Sequence, residues 1–476
     1  MKMAQILSFV RSFKVLIILL GMVLSHASTW VWSSTRVQFP IPEIETLPNG
    51  LQVVGWVNDQ LPLVDFSFVV KAGFRDDEEG KSGTAELLAG LLEHQVSSKG
   101  GSTSLGGGQS VVVEDDFFTI GLHGLASDAP SLLDLLAKLS TSQSIFSEVE
   151  VQREKERLKE RWGHLEDYGD LFHSLAYQKI QASGTSYGRS HFLSLQEMNR
   201  VSAQDITRYY RKYFTPKNSI LLGVGKVDLK ALRTKIQNLF PEGSGEQLKR
   251  SWKSYVNRRL SFKVSTQKPV VWLIDRPEST QAQVKIGFRV PGILSKEREA
   301  WAVANAIVGA SFQSRLNTQV RDRYGLTYAI HSSLNYRKEL GDFRVSASVR
   351  NSHLGPLIRR TLEVLQDFKK GPILDSEVEK AKQYMEGTFF LNHSTLSAIG
   401  SRWLAGYIYG LGANHLNEAM NQIQAVTTQD VQSAILNGLD ERSLTVVVLG
   451  DMKSVGKSLD ESQFKVIRQV FPSDLK

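Results

Sequence analysis

The chain has 476 residues, 41% of them hydrophobic and 22% charged, enough for two to four ordinary domains with a real core. Its formal net charge is +8, of which Lys2, Arg11 and Lys14 supply three within the first 27 residues, leaving 8 − 3 = +5 for the remainder. Those later cations alternate with acids, as in Arg153–Arg157, which reads as a solvated helix face and speaks against a nucleic-acid partner, because phosphate binding needs clustered cations. With no cysteine, disulfides, thiolate metal sites and a cysteine nucleophile are excluded, and an oxidising compartment is accommodated.

In chain order, the basic N-terminus leads into the apolar run Val15–Leu24 and then Ser25-His26-Ala27, with small residues at −3 and −1. This pattern predicts a signal peptide over residues 1–27, cut near Ala27. Ten apolar residues are too few to cross a bilayer core, so no stable membrane anchor is expected after cleavage. Leu51–Val57 and Val64–Val70 are rich in β-branched residues and predict strands. Ser82–Gln95 is helical, and Gly106–Gly108 reads as a flexible turn before the strand-like run Gln109–Leu122. Ser147 and Glu150 form a capping box that opens a helix to about Trp162. Thr207–Tyr213 is helical and Ser219–Val224 is a closing strand.

The chain then repeats itself. Phe66–Gly73 resembles Lys285–Gly292, and Ser147–Glu150 recurs at Ser376–Glu379. Val201–Ile206 recurs at Val426–Val431, and Ser219–Gly225 at Ser443–Gly450. The offsets are 219, 229, 225 and 224, and their order is preserved, which points to two homologous halves. The breaker cluster Pro241–Glu246 begins the connection between them. The expected organisation is an N-terminal domain over 37–243, a linker over 244–261 and a C-terminal domain over 262–476. Each should be α+β, a mainly antiparallel sheet with helices packed on one face.

The run Lys71–Gly83 closely resembles the stretch before the metal-binding helix of the pitrilysin/insulinase-type zinc peptidases, the inverzincins. In that family the helix continues as His-x-x-Glu-His, which places two imidazoles on one helical face with the general base beside them. Here the three positions hold Glu86, Ala89 and Gly90. Glu93-His94 looks like the tail of the motif one turn later, but that register puts Gly90 at the first His, and His94 also reads as an ordinary helix histidine. The family's third ligand is a Glu on a later helix, and counting seven residues from Glu154 reaches Arg161, a cation. Glu154, Glu156 and Glu160 read as solvated.

In the second half, Gly309–Tyr328 closely resembles the family's C-terminal-domain signature, with Arg321, Gly325, Leu326 and Tyr328 matching. In the family the Arg/Tyr pair faces the zinc across a chamber enclosed between the domains, where it holds substrate backbone and helps stabilise the oxyanion. Without that context, the reading to prefer is that Arg315, Arg321 and Tyr328 cap and pack the helix–strand junction. The resemblance implies a non-catalytic, substrate-binding subunit of a heterodimeric zinc endopeptidase, exported to the periplasm of a Gram-negative type envelope. Its partner would be a catalytic paralogue with an intact His-x-x-Glu-His that carries the zinc, this chain holding none. The ligand would be an extended peptide, admitted by the chamber and held by strand addition. Two other readings stand beside it: a structural or assembly protein of peptidase-like fold, and an active zinc peptidase with displaced ligands such as Glu86, Glu93 and His94.

Overall fold

A computed structural model describes residues 38–98, 107–140, 146–164, 168–188, 195–240, 270–462 and 465–470. The expected signal peptide and interdomain linker lie outside them. Among the described residues, no helix is long and apolar enough to cross a membrane.

Each half builds one six-stranded sheet. The first comprises β1 (Glu43–Thr46), β2 (Gln52–Val57), β3 (Leu63–Val70), β4 (Gly108–Val113), β5 (Phe118–Leu125) and β6 (Ser219–Gly225), in the order β1-β2-β6-β3-β5-β4. The second comprises β7 (Val270–Asp275), β8 (Gln281–Pro291), β9 (Ile330–Tyr336), β10 (Leu340–Arg350), β11 (Thr445–Gly450) and β12 (Lys465–Val470), in the order β12-β7-β11-β8-β10-β9. Strands β2, β6, β3, β5 and β4 of the first sheet therefore correspond to β7, β11, β8, β10 and β9 of the second, as the sequence repeat predicts. Parallel pairing is confined to β2–β6 in one sheet and to β12–β7 and β7–β11 in the other. The run Gln109–Leu122 is two strands, because Asp115 and Asp116 lie in a tight turn where the Glu114 amide bonds the Phe117 carbonyl at 2.9 Å.

The helices used below are α1 (Thr84–Ser98), α2 (Ala129–Ser140), α3 (Glu148–Gly163), α4 (Gly169–Gln181), α5 (Ala203–Tyr213) and α6 (Leu396–Tyr409). The capping box at α3 forms as its sequence implies, with the Ser147 hydroxyl accepting from the Glu150 amide and the Glu150 carboxylate accepting from the Ser147 amide. One face of the first sheet carries Val64, Phe66, Phe68, Phe118, Ile120 and Leu122, and it packs under α1, α2 and α5. That is the expected helix-covered face.

The opposite faces are covered too, by exchange. Helix α4, from the first half, lies on the second sheet, where Phe172, Ala176 and Tyr177 bury against Ile274, Val447 and Leu449. Helix α6, from the second half, lies on the first sheet. Its Trp403 meets Trp56 edge-on at 5.0 Å, and Gln52 donates to the Tyr407 hydroxyl at 3.3 Å. The two helices start 396 − 169 = 227 residues apart, the spacing of the repeat. The halves also meet at equivalent hairpin turns: Arg337 pairs with Asp115, and the Lys338 amide donates to Asp116 at 3.1 Å. Arg75 and the Tyr187 hydroxyl hold the same Asp116 at 2.7 and 3.0 Å.

Candidate functional site at the degenerate metal positions

Helix α1 starts where it does because of Asp77. Its carboxylate accepts the Gly83 and Ala85 amides at 2.8 and 3.0 Å, satisfying two of the donors that a helix N-terminus leaves free. Burial pushes the Asp77 pKa up to about 8, against those amide bonds. From this start, Glu86, Gly90 and Glu93 fall at i, i+4 and i+7 and share one face. On α3, Glu154, Arg157 and Arg161 share the facing stripe by the same spacing.

The two stripes meet. A β-carbon at Gly90 would lie 1.8 Å from Oε1 of Glu154 and 2.8 Å from Nη2 of Arg157. Glu154 is 5% exposed and is gripped by Arg157, whose Nε and Nη2 donate at 2.8 and 2.6 Å. The expectation that Glu154 is solvated is therefore corrected: its carboxylate occupies the room that the missing Gly90 side chain leaves. Lys155, also expected on a solvated face, is buried with Nζ on the Asn199 carbonyl at 3.1 Å. Glu156 is exposed as expected. Glu86 faces Arg161 Nη1 at 4.0 Å. Burial raises the Glu86 pKa to about 7, with Arg161 pulling it down and Glu154 pushing it up.

The first and third ligand positions of the motif are thus a carboxylate and a guanidinium facing each other, and the second is filled by a carboxylate already paired with Arg157. Zinc takes three or four N, O or S donors in tetrahedral array. Ala89 and Gly90 offer none, and Arg161 brings a positive charge, so the residues present do not fit the ion. Among the described residues, no three His, Asp or Glu side chains are grouped to hold a metal. Glu93 lines the space beside Glu86, whereas His94 is an exposed helix residue. A cavity of about 350 Å³ remains between α1, α3, α4 and β4, the last strand of its sheet among the described residues, with Val111–Val113 forming one wall and Leu175 and Gln178 of α4 another.

In the second half, the Gly309–Tyr328 stretch departs from regular helix twice, as π-helical turns at Ala306–Ala310 and Asn317–Arg323. Such turns recur at functional sites because they re-aim side chains. Gly309 lets the first of them approach β9, since a β-carbon there would sit 2.4 Å from the Ser332 hydroxyl. Arg315 is engaged structurally, in a forked pair with Glu377 at 2.8 and 2.7 Å. Arg321 stacks over Phe312 at 4.2 Å and donates to Asp322 at 2.8 Å. Tyr328 is 93% exposed. Packing at a helix–strand junction thus describes Arg315 but not Tyr328.

Residues 200–385 match the family model described as the Peptidase M16 inactive domain. Over that stretch the chain resembles the M16 peptidases. The chain is 24% identical over 417 residues to an uncharacterized zinc protease of Streptomyces coelicolor, covering 86% of this chain and 89% of that one. Its fold is similar to a peptidase M16 inactive domain from Pseudomonas fluorescens, with a TM-score of 0.72 at 18% identity and 86% and 98% coverage. It is also similar to a chain of Complex III2 from Candida albicans, with a TM-score of 0.71 at 15% identity and 88% and 99% coverage.

Two groups carry no clear mark in the sequence. Glu154 was hidden in a charge run, although an isolated Gly inside a helical pattern, Gly90, was a signal of close approach. His173 gave no local signal at all. It is fully buried, with Nε2 on the Val447 carbonyl at 3.0 Å and Nδ1 facing Lys285 Nζ at 3.2 Å, partners more than 100 residues away.

Proposed function

We propose that this chain is the non-catalytic, substrate-binding subunit of a two-chain zinc endopeptidase, exported to the periplasm and paired with a paralogue that carries His-x-x-Glu-His and the zinc. The observation that carries the reading is the one-sided state of the site. At the metal positions, Glu86–Arg161 and Glu154–Arg157 occupy the place of ligands and ion. Beside them, a cavity and the edge of β4 remain open to an extended peptide, which strand addition would hold.

In this reading Tyr328, exposed and free to donate, and Arg321, pre-set by Phe312, face the partner's zinc and bind substrate backbone and oxyanion. The zinc would supply the activated water in the partner; this chain's own residues would only bind and orient. The chamber expected between the halves belongs to this proposal.

A scaffolding role is the second reading, favoured by the fold likeness to a Complex III2 chain and by the contacts that already occupy Arg321. Reconstitution with the partner separates the two. Tyr328→Phe and Arg321→Ala should each lower peptide turnover by roughly tenfold to a hundredfold, as expected for the loss of one charged or oxyanion hydrogen bond. Unchanged turnover would favour the scaffold. Stoichiometric zinc in the isolated, purified chain would overturn both readings in favour of a displaced metal site.

A further inference from the structure

On the face of the second sheet that α4 partly covers, β7 and β11 present apolar residues to that helix, whereas β8, β10 and β9 carry polar and basic ones. Core-facing residues alternate with these: Val284, Ile286 and Phe288 on β8, and Phe343, Val345 and Ala347 on β10, point into the apolar core. The intervening positions point to the opposite face, beside α4. Across three strands the register places Lys285 opposite Ser346, and Ser346 opposite His331. Arg344, two residues before Ser346 on the same face, stands opposite Gly287 and Ser333 and so lies diagonal to both Lys285 and His331. Directly opposed side chains sit about 5 Å apart and diagonal ones about 7 Å apart.

Within this group, Asp342 is the acid that acts on Arg344. Lys285 reaches His173, a neutral partner, and Asp170 on α4 is the acid that acts on it. Asp342, on the same face, accepts from the Tyr177 hydroxyl at 2.6 Å. Arg344 stacks over Tyr177 at 5.3 Å, and its Nε is buried without a hydrogen-bond partner. A buried guanidinium donor left unpaired is costly, and like charges facing one another add to that cost. Burial and the mutual repulsion of these groups hold His331 and Lys285 below their usual pKa values.

We propose that Lys285, Arg344 and His331 form a subsite for the carboxylates of an extended acidic peptide that adds to the edge strand β9. This rests on the reading of the chain as a peptide-binding subunit and names the side chains it prefers. Among the described residues β9 ends its sheet, and its outer backbone groups face no further strand. A peptide paired there would turn every second side chain onto this face, beside the exposed His331. The Arg344 fork suits a carboxylate better than a point cation would.

The test uses the full chain and two labelled peptides read by fluorescence anisotropy: one with Glu at every second position, and its Gln counterpart. The Glu peptide should bind at least about tenfold tighter, as charged hydrogen bonds exceed neutral ones by that order. His331→Gln should weaken it severalfold. Ser346→Glu places an acid between Lys285 and His331 and should abolish the preference while leaving the fold intact by circular dichroism. Inorganic phosphate should compete only weakly; phosphate binding as tightly as the peptide would reveal a free-anion site and overturn the peptide assignment. Equal affinity for both peptides, or variants that bind like the parent, would overturn the subsite while leaving the peptide-binding reading in place. A chain that discriminates the peptides yet leaves the partner's turnover unchanged on Arg321→Ala would do the reverse.

Discussion

Replacing Gly90 by Ala is the sharpest probe of the filled ligand position. In an ordinary helix interior the change gains about 1 kcal/mol, since Gly costs that much relative to Ala. Here the new β-carbon would lie 1.8 Å from Glu154 Oε1 and 2.4 Å from its carboxyl carbon. The carboxylate must swing away and leave Arg157, which is 44% exposed, so solvent screening limits the ion pair itself to roughly 1 kcal/mol. Displacing a 6%-exposed carboxylate from its donors adds roughly 1–3 kcal/mol. The net expectation is a loss of about 1–3 kcal/mol despite the better helix former. Removing the obstacle should reverse the sign: in a Glu154→Ala background, Gly90→Ala should stabilise by about 1 kcal/mol. Urea denaturation of the four proteins gives the coupling directly. If Gly90→Ala stabilises equally in both backgrounds, Glu154 does not fill the second ligand position.

Two further tests address the seam between the halves. Burial, with Lys285 and Arg344 nearby, depresses the His173 pKa to about 3, although the Val447 carbonyl and Gln283 oppose the shift. Above pH 6.5 the histidine is neutral in both states; below it the unfolded chain takes up the proton first, so stability should fall as pH drops from about 6.5 towards 3, by several kcal/mol at ~1.4 kcal/mol per unit. His173→Gln should flatten that limb of the stability–pH curve, and an unchanged slope would show that this histidine is not the group responsible. A β-carbon at Gly287 would lie 1.6 Å from the Tyr177 hydroxyl, which holds Asp342, so Gly287→Ala should lower the urea midpoint by the equivalent of roughly 2–4 kcal/mol. A midpoint matching the parent's would mean that α4 can shift without loss.

Much of this molecule is written locally. Strands β2, β3 and β6, the capping box on α3 and the order of the repeats all follow from short-range patterns. So does the expected departure from the metal motif at Glu86, Ala89 and Gly90, because motif spacing is local on a helix. What escaped depends on pairing between distant segments. The turn that splits Gln109–Leu122 is stabilised by Arg75 and Arg337, remote in sequence. Glu154 and Lys155 sit in a charge run that looks solvated until α1 and Asn199 close over it. The exchange of α4 and α6 leaves no mark in periodicity, because a helix reads alike whichever sheet it covers.

That exchange sets a timetable for synthesis. A ribosome reading from the N-terminus completes the first sheet with β6 at Gly225, yet the cover for its bare face arrives only with α6, which ends at Tyr409. Helix α4, made early, must meanwhile wait for β11, complete at Gly450, before its own apolar stripe is buried. Trp56 and Phe172 therefore remain uncovered by their native partners through more than 200 residues of growth, a long interval in which the nascent chain offers sticky surface to whatever escorts it.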